Sequence, residues 1–360
     1  MQILALTRYD RMGASSRVRF LQYLPYLEDE GIDVKVSSLF SNDYLQALYQ
    51  GAAQKRRALA LAGLLNRLRA ITYAHNYDLV WIEKELIPFI PPFLELALSR
   101  RGVPYAVDFD DAIFHQYDRH RSRMVRRVLG KKIDTIMAQA AVVLAGNSYL
   151  AERARLAGAR RIEVLPSVVD CDRYEAIHRE PAASTTIGWI GTPKTTRYLR
   201  ALDPVWQVVA SSSDVKFVAI GANASDLRGT PWQAWDWSEE GEVKAIQSFD
   251  IGIMPLDASP WERGKCGYKL IQYMACGLPV VASPVGANSD IVEQGVTGLL
   301  PNSKQQWSAD LLRLINDRAL RVKLGCAARS HVERHFSVQT FAPRLKRVLA
   351  ETLEARICAV

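Results

Sequence analysis

Cysteine is scarce and scattered in this chain. Cys171, Cys266, Cys276, Cys326 and Cys358 form no CxxC pair and no Cys/His cluster. That excludes a disulfide framework and a structural zinc, and predicts free thiols in a reducing cytoplasm. Long hydrophobic runs are missing as well. No uninterrupted apolar run reaches the ~18 residues of a membrane span, so no transmembrane helix is expected. The best stretch, Leu86 to Leu98, is broken by Pro88, Pro91, Pro92 and Glu95. A charged start followed by an apolar core is also lacking, so Gln2 to Leu6 reads as a first strand and not as a signal peptide. Nothing is low in complexity, and no repeat rises above a general βαβ rhythm.

Acid is absent from two basic stretches within a formal charge of +8. Lys55, Arg56, Arg57, Arg67 and Arg69 lie in one. Arg119, Arg121, Arg123, Arg126, Arg127, Lys131 and Lys132 lie in the other. Such runs suit anionic lipid or a lipid diphosphate. They lack interleaved aromatics, which argues against nucleic acid. In Ala52 to Thr72, Leu59, Leu61, Leu64, Leu65 and Leu68 form an apolar side against basic residues. That pattern fits an interfacial amphipathic helix or a helix packed on its own domain. With 360 residues, 49% hydrophobic and 23% charged, the chain has the size and composition of two globular domains.

The most informative stretch runs from Gly264 to Gly298. Gly264, Lys265, Gly267 and Lys269 precede or open a helical run, Tyr268 to Cys276, that stops at Gly277-Leu278-Pro279. A buried strand, Val280 to Ser283, follows, then a loop at Pro284, Gly286 and Asn288. This is loop, helix, strand and loop, as in a parallel α/β sheet. Glycines before a helix let backbone N–H groups approach an anion. Helical spacing would put Lys265 and Lys269 on one face. The pattern describes a diphosphate seat, or a glycine-punctuated turn with solvated lysines.

Strands are predicted at Ile3–Leu6, Val34–Leu39, Asp78–Ile82, Val103–Val107, Ala141–Ala145 and Ile162–Leu165. Later ones fall at Thr186–Ile190, Val215–Ile220 and Phe249–Leu256. A helix is predicted over Ser16–Glu28, kinked by Pro25. Gly13 gives the tight turn before it. Arg17 and Arg19 near its first turn oppose the helix dipole, which points to a bound anion or to solvated arginines. Carboxylates gather where two strands end: Glu83 after the third, then Asp108, Asp110 and Asp111 after the fourth. Ligands of open α/β sheets bind at that edge. Clustered carboxylates suit sugar hydroxyls, basic partners or helix caps. The tryptophans of Trp235-Asp236-Trp237 suit a stacked base or core packing.

QYMACGLPVVASPVGANSDIV with EQGVTGLL resembles the donor-site signature of the retaining GT-B glycosyltransferases of family 4. Met274-Ala275, Gly277, Pro279-Val280-Val281, Gly286, Gly295 and Gly298 match. The signature's two glutamates fall on Gly264 and Gln272, with Glu262 two residues from the first. The resemblance implies a GT-B fold: α/β, two Rossmann-like domains facing an interdomain cleft. The implied boundaries are 1–178, with a C-terminal helix 338–360 packing back on it, and 179–337. Residues 177–185 form the linker.

The resemblance further implies transfer of a sugar from a nucleotide-diphosphate donor, UDP, GDP or dTDP, with retention. Gly13, Gly191, Thr192, Lys194, Trp237, Gly264, Lys265, Gly267, Lys269 and Gln272 would bind the donor. Arg17, Arg19, Glu83 and Asp108 would bind the acceptor, and Asp110, Asp111 and Lys265 would serve catalysis. No cofactor and no metal are implied; Asp108-Phe109-Asp110 is a formal Asp-x-Asp match, but it lies in the acceptor domain. With the basic stretches, the implied partners are a glycan or polyprenyl-diphosphate-linked acceptor and an anionic membrane surface. The implied place is the cytoplasm, at the inner face of the plasma membrane. Two alternatives stay open: a nucleotide-sugar epimerase on the same fold, and a non-catalytic scaffold of a glycan assembly complex.

Overall fold

The computed structural model describes residues 1–177 and 184–357, with side chains to 354. Most of the expected linker therefore lies outside the described residues. The chain forms two compact units. Unit 1 comprises Met1–Ser167, the tripeptide Gly264–Cys266 and the helical stretch from Phe341; unit 2 comprises Val168–Arg263 and Gly267–Thr340.

Unit 1 is built on a parallel sheet: β1 (Gln2–Tyr9), β2 (Asp33–Phe40), β3 (Leu79–Glu83), β4 (Tyr105–Phe109), β5 (Val142–Ala145) and β6 (Ile162–Val164), in the order β2-β1-β3-β4-β5-β6. β3, β4 and β5 are buried along their whole length, as expected of strands covered on both faces. The order reverses between β1 and β3. In doubly wound sheets that switch point is where loops part and ligands enter.

The helix expected over Ser16–Glu28 is broken, not kinked. Ala14–Arg19 ends at Phe20, a 3₁₀ turn Leu21–Tyr23 follows, and Leu24–Asp29 begins anew. Pro25 sits at the start of that last helix, where its missing N–H costs nothing. The basic helix runs Ala53–Thr72. Arg67 does not join its basic face: it is buried and donates to the Thr7 carbonyl and, at 3.3 Å, to the Ser37 carbonyl. Leu61, Leu65 and Leu68 are exposed instead.

Unit 2 holds β7 (Thr185–Ile190), β8 (Val215–Ile220), β9 (Trp232–Trp235), β10 (Ile251–Met254), β11 (Val280–Ala282) and β12 (Gly298–Leu299). The strand order is β12-β11-β10-β7-β8-β9, the 3-2-1-4-5-6 order of dinucleotide-binding sheets. Successive side chains serve opposite faces. Ile187, Trp189, Phe217, Ala219, Ile251 and Ile253 pack with Trp206, Leu311 and Leu314 on one side. Ile190, Val218, Ile220, Val280 and Ala282 pack with Leu270, Ile271, Met274 and Val332 on the other. The short strands β9 and β12 escaped the sequence pattern, being too brief to show alternation.

Candidate functional site

At the switch point of unit 2 the loops leaving β7 and β10 part. The β7 loop begins Gly191-Thr192. A side chain at Gly191 would drive into the Trp189 ring, its Cβ 2.2 Å away, and one at Gly221 after β8 would meet the Gly191 carbonyl at 2.4 Å. Backbone thus approaches backbone at this edge. Thr192 and Thr195 close the loop through Thr195 Oγ1, which accepts from the Thr192 N–H at 3.0 Å. Thr192 and Lys194 are exposed.

The β10 loop leads to Glu262 and then to the helix Tyr268–Ala275. Gly267 precedes that helix with φ 64°, a left-handed conformation that glycine adopts without strain. No side chain caps the helix and its first turn holds no acid, so its positive end is not neutralised locally. Lys269 lies 4.4 Å above the Trp189 ring. Lys265 is not on the helix, because the chain turns at Gly267 first; the expected shared face with Lys269 does not exist.

Gln272 and Trp237, both named from sequence, belong to one buried network. Gln272 Nε2 donates to the Tyr174 hydroxyl at 2.8 Å, and that hydroxyl donates to Glu242 Oε1 at 2.7 Å. Trp237 Nε1 donates to Glu242 Oε2 at 2.9 Å, and Arg173 adds a contact at 3.1 Å. Trp237 is half-buried and packs against the core cluster that holds Ile220, Leu270 and Ile271. Nothing in the sequence singled out Glu242; it emerges only because folding carries it to Tyr174. Glu262, also buried, accepts from Tyr198 at 2.5 Å, from Arg197 at 2.8 Å and from Ser259. Burial pushes its carboxyl up, but the Ser259 and Tyr198 hydrogen bonds outweigh this and hold it low.

In unit 1 the sequence-named carboxylates gather at the switch point of β1 and β3, extending to the end of β4. Of their cations, Arg19 and Lys265 were named from sequence and Lys84 was passed over. Lys84, after β3, has φ 65° and sits in a three-residue turn closed by Glu85 N–H on the Glu83 carbonyl at 2.7 Å. A positive φ at a non-glycine residue stores strain of about 1–3 kcal/mol and clusters at functional sites. The buried Lys84 Nζ lies 2.7 Å from Asp110 Oδ1, 3.8 Å from Asp111 Oδ2 and 3.2 Å from Ser15 Oγ. Burial raises the Asp110 carboxyl, but Lys84 and Ser15 outweigh it and hold the group low. Asp111 goes the other way: burial and the Asp110 charge raise it against Lys84 and Lys265. Lys265 Nζ is 3.9 Å from Asp111 Oδ1.

The other named residues of unit 1 are engaged internally. Arg19 lies in the last turn of its helix, not the first. It grips Asp108 with two hydrogen bonds, at 2.7 and 3.0 Å, and donates to the Leu165 carbonyl at 2.7 Å. Burial pushes Asp108 up to about 6 despite that pairing. Glu83 Oε2 accepts from the Arg8 N–H at 2.7 Å and the Ser16 hydroxyl at 2.6 Å. Arg17 donates to the Arg11 carbonyl at 3.0 Å. Gly13 admits no side chain, since a Cβ would lie 2.3 Å from Tyr9 Cβ. Gly264 is closed in the same way: a Cβ there would meet Ala112 Cβ at 2.4 Å and Ala112 N at 2.6 Å. A glutamate at this position is sterically excluded as the segment stands.

Two doubly wound parallel sheets in these orders are the architecture of the GT-B glycosyltransferases. Solved structures share it across the chain. Sucrose-phosphate synthase from Thermosynechococcus elongatus superimposes with a TM-score of 0.72 at 15% identity, covering 99% of this chain and 100% of that one. Anabaena HepE, solved with UDP and glucose, gives 0.69 at 18% identity, covering 98% and 100%. The sequence profile of glycosyl transferases group 1 matches residues 184–317, all of them in unit 2 except Gly264–Cys266.

Among curated relatives, D-inositol 3-phosphate glycosyltransferase of Corynebacterium aurimucosum is 34% identical over 117 residues, 32% of this chain and 26% of the relative. A GDP-mannose-dependent monoacylated alpha-(1-6)-phosphatidylinositol monomannoside mannosyltransferase of Corynebacterium glutamicum is 24% identical over 212 residues, 52% of this chain and 55% of that one. The chain therefore spans between about a quarter and just over half the length of these relatives.

Proposed function

We propose that this chain is a metal-independent, retaining glycosyltransferase of family 4. It moves a sugar from a nucleotide-diphosphate donor to a glycan or polyprenyl-diphosphate-linked acceptor at the cytoplasmic face of a membrane, in surface polysaccharide or glycoconjugate assembly. One observation carries the reading. The loops at the unit 2 switch point bear Gly191, Thr192 and Lys194 on one side and lead on the other to an uncapped helix opened by Gly267. That is the setting in which parallel sheets take phosphates. The group 1 profile over the same residues, and relatives named for GDP-mannose or solved with UDP, support a nucleotide-sugar donor.

On this reading Lys194, Lys269 and the helix N-terminus, all of unit 2, receive the diphosphate. Each charge-assisted contact contributes about 1.5–3 kcal/mol. Contacts that strengthen as negative charge develops on the leaving diphosphate lower the barrier. Asp110, held ionised by Lys84, and Asp111, raised and flanked by Lys84 and Lys265, orient the acceptor hydroxyl. Lys84 keeps the two carboxylates from repelling each other out of place.

A thermal-shift panel of UDP-, GDP- and dTDP-sugars tests the donor half, because a selectively bound donor raises apparent stability. One base should give a saturable rise in Tm. If none does, the donor reading is wrong.

A further inference from the structure

Unit 1 presents a second apolar surface, separate from the exposed leucines of Ala53–Thr72. Phe89 is 48% exposed and has φ 60°, so a bulky side chain is held outward on strained backbone. Its ring stands edge-on to Tyr117 and to His120, and its N–H donates to the Tyr117 hydroxyl at 3.1 Å. The His120 carbonyl in turn accepts from Arg126 Nη1 at 2.6 Å, which ties this point to the helix Arg123–Leu129. On that helix Met124 and Val128, four residues apart and so on one face, are 76% and 59% exposed. An isolated exposed hydrophobe needs no explanation; two on one helix face beside a strained, exposed phenylalanine do.

The charge around them is of one sign. Arg119, Arg121, Arg123, Arg126, Arg127 and Lys131 are exposed, and residues 119–133 contain no acid. The flanking acids are already matched: Asp118 pairs with His115 and Arg153, and Asp134 pairs with Arg153. We infer that Phe89, Met124 and Val128, ringed by these arginines, insert into the interface of an anionic lipid bilayer. Charge complementarity selects the occupant. Apolar groups flanked by long cationic side chains suit acyl chains below and anionic headgroups around. An acidic protein partner would satisfy the arginines but not three separate protruding apolar groups. This inference rests on the peripheral placement proposed above.

Co-sedimentation of the full chain with phosphatidylglycerol-containing and pure phosphatidylcholine vesicles tests it, at low and high salt. Three variants are compared with wild type: F89S/M124S/V128S, R123E/R127E and L61S/L65S. Wild type should bind the anionic vesicles only, and high salt should weaken binding. The charge-reversed variant should lose roughly tenfold or more in partitioning, and the apolar-to-serine variant should lose binding while its Tm stays near wild type. If both bind like wild type and L61S/L65S alone releases, the surface assigned here is wrong while peripheral placement stands. If wild type ignores anionic vesicles, both ideas fail. Equal binding to phosphatidylcholine would overturn the role of the arginines.

Discussion

Gln272 and Tyr174 meet at 2.8 Å, amide to hydroxyl, and the single phenolic hydrogen points onward to Glu242. A hydroxyl has one hydrogen to give. Tyr174 can therefore satisfy one carboxylate while an amide donor faces its oxygen. The position that resemblance assigns to a glutamate is chemically suited to glutamine here.

Restoring the glutamate should then harm the protein. In Gln272→Glu two buried carboxylates would compete for one phenolic hydrogen. The expected cost is about 1–3 kcal/mol, seen as a Tm lower by several degrees. A Tm equal to or above wild type in thermal denaturation would show that the network tolerates a second acid.

Removing Lys84 should be more costly. Lys84→Met leaves the partly buried Asp110 and Asp111 without their shared cation, a loss of at most about 3–5 kcal/mol by urea unfolding at neutral pH. The pH dependence carries the sign. In wild type Asp110 has a lowered folded pKa, so its stabilisation is present above the unfolded value and lost as pH falls. In the variant the carboxylates repel and at least one pKa is raised, so stability is gained as pH falls. The gap between variant and wild type should narrow between neutral pH and about pH 5. A constant gap would refute the pairing as the source of the effect.

Gly264 should resist enlargement. Gly264→Ala places a Cβ against Ala112 Cβ and backbone nitrogen. Overpacking of this kind costs about 1–3 kcal/mol. The double variant Gly264→Ala/Ala112→Gly should recover only part, because the Ala112 nitrogen stays at 2.6 Å. Full recovery would mean the side chain alone set the limit.

Lys269→Ala separates ligand from fold. Its contact over Trp189 is worth about 0.5–2 kcal/mol, so the unliganded Tm should fall slightly. Losing a charge-assisted diphosphate contact should weaken donor binding by roughly 10- to 100-fold. Titration calorimetry with the donor chosen by thermal shift reads this directly, and unchanged affinity would remove Lys269 from the site.

The strand runs, the glycine and proline punctuation and the helix Tyr268–Ala275 were legible in the sequence because they rest on local rules. Apolar runs of four to six residues form buried strands, and Gly267 and Gly277 bound a helix. The expected strands β7 and β8 match the structure within a residue. Fully legible, too, was the gathering of Glu83, Asp108, Asp110 and Asp111, since each follows a predicted strand and parallel strands end at one edge.

Partnership was not legible. That Lys84 meets Asp110, that Arg19 is consumed by Asp108, and that Glu242 stands behind Gln272 through Tyr174 all rest on contacts between residues 26 to 98 positions apart, and only the packed fold sets those distances. Sequence alone determined the alternation of strand and helix, and with it the α/β class. Tertiary structure decided which charges are neutralised and which face solvent. The reason is physical: backbone preference acts over a few residues, whereas the energy of a buried charge depends on whatever the fold brings within about 4 Å of it.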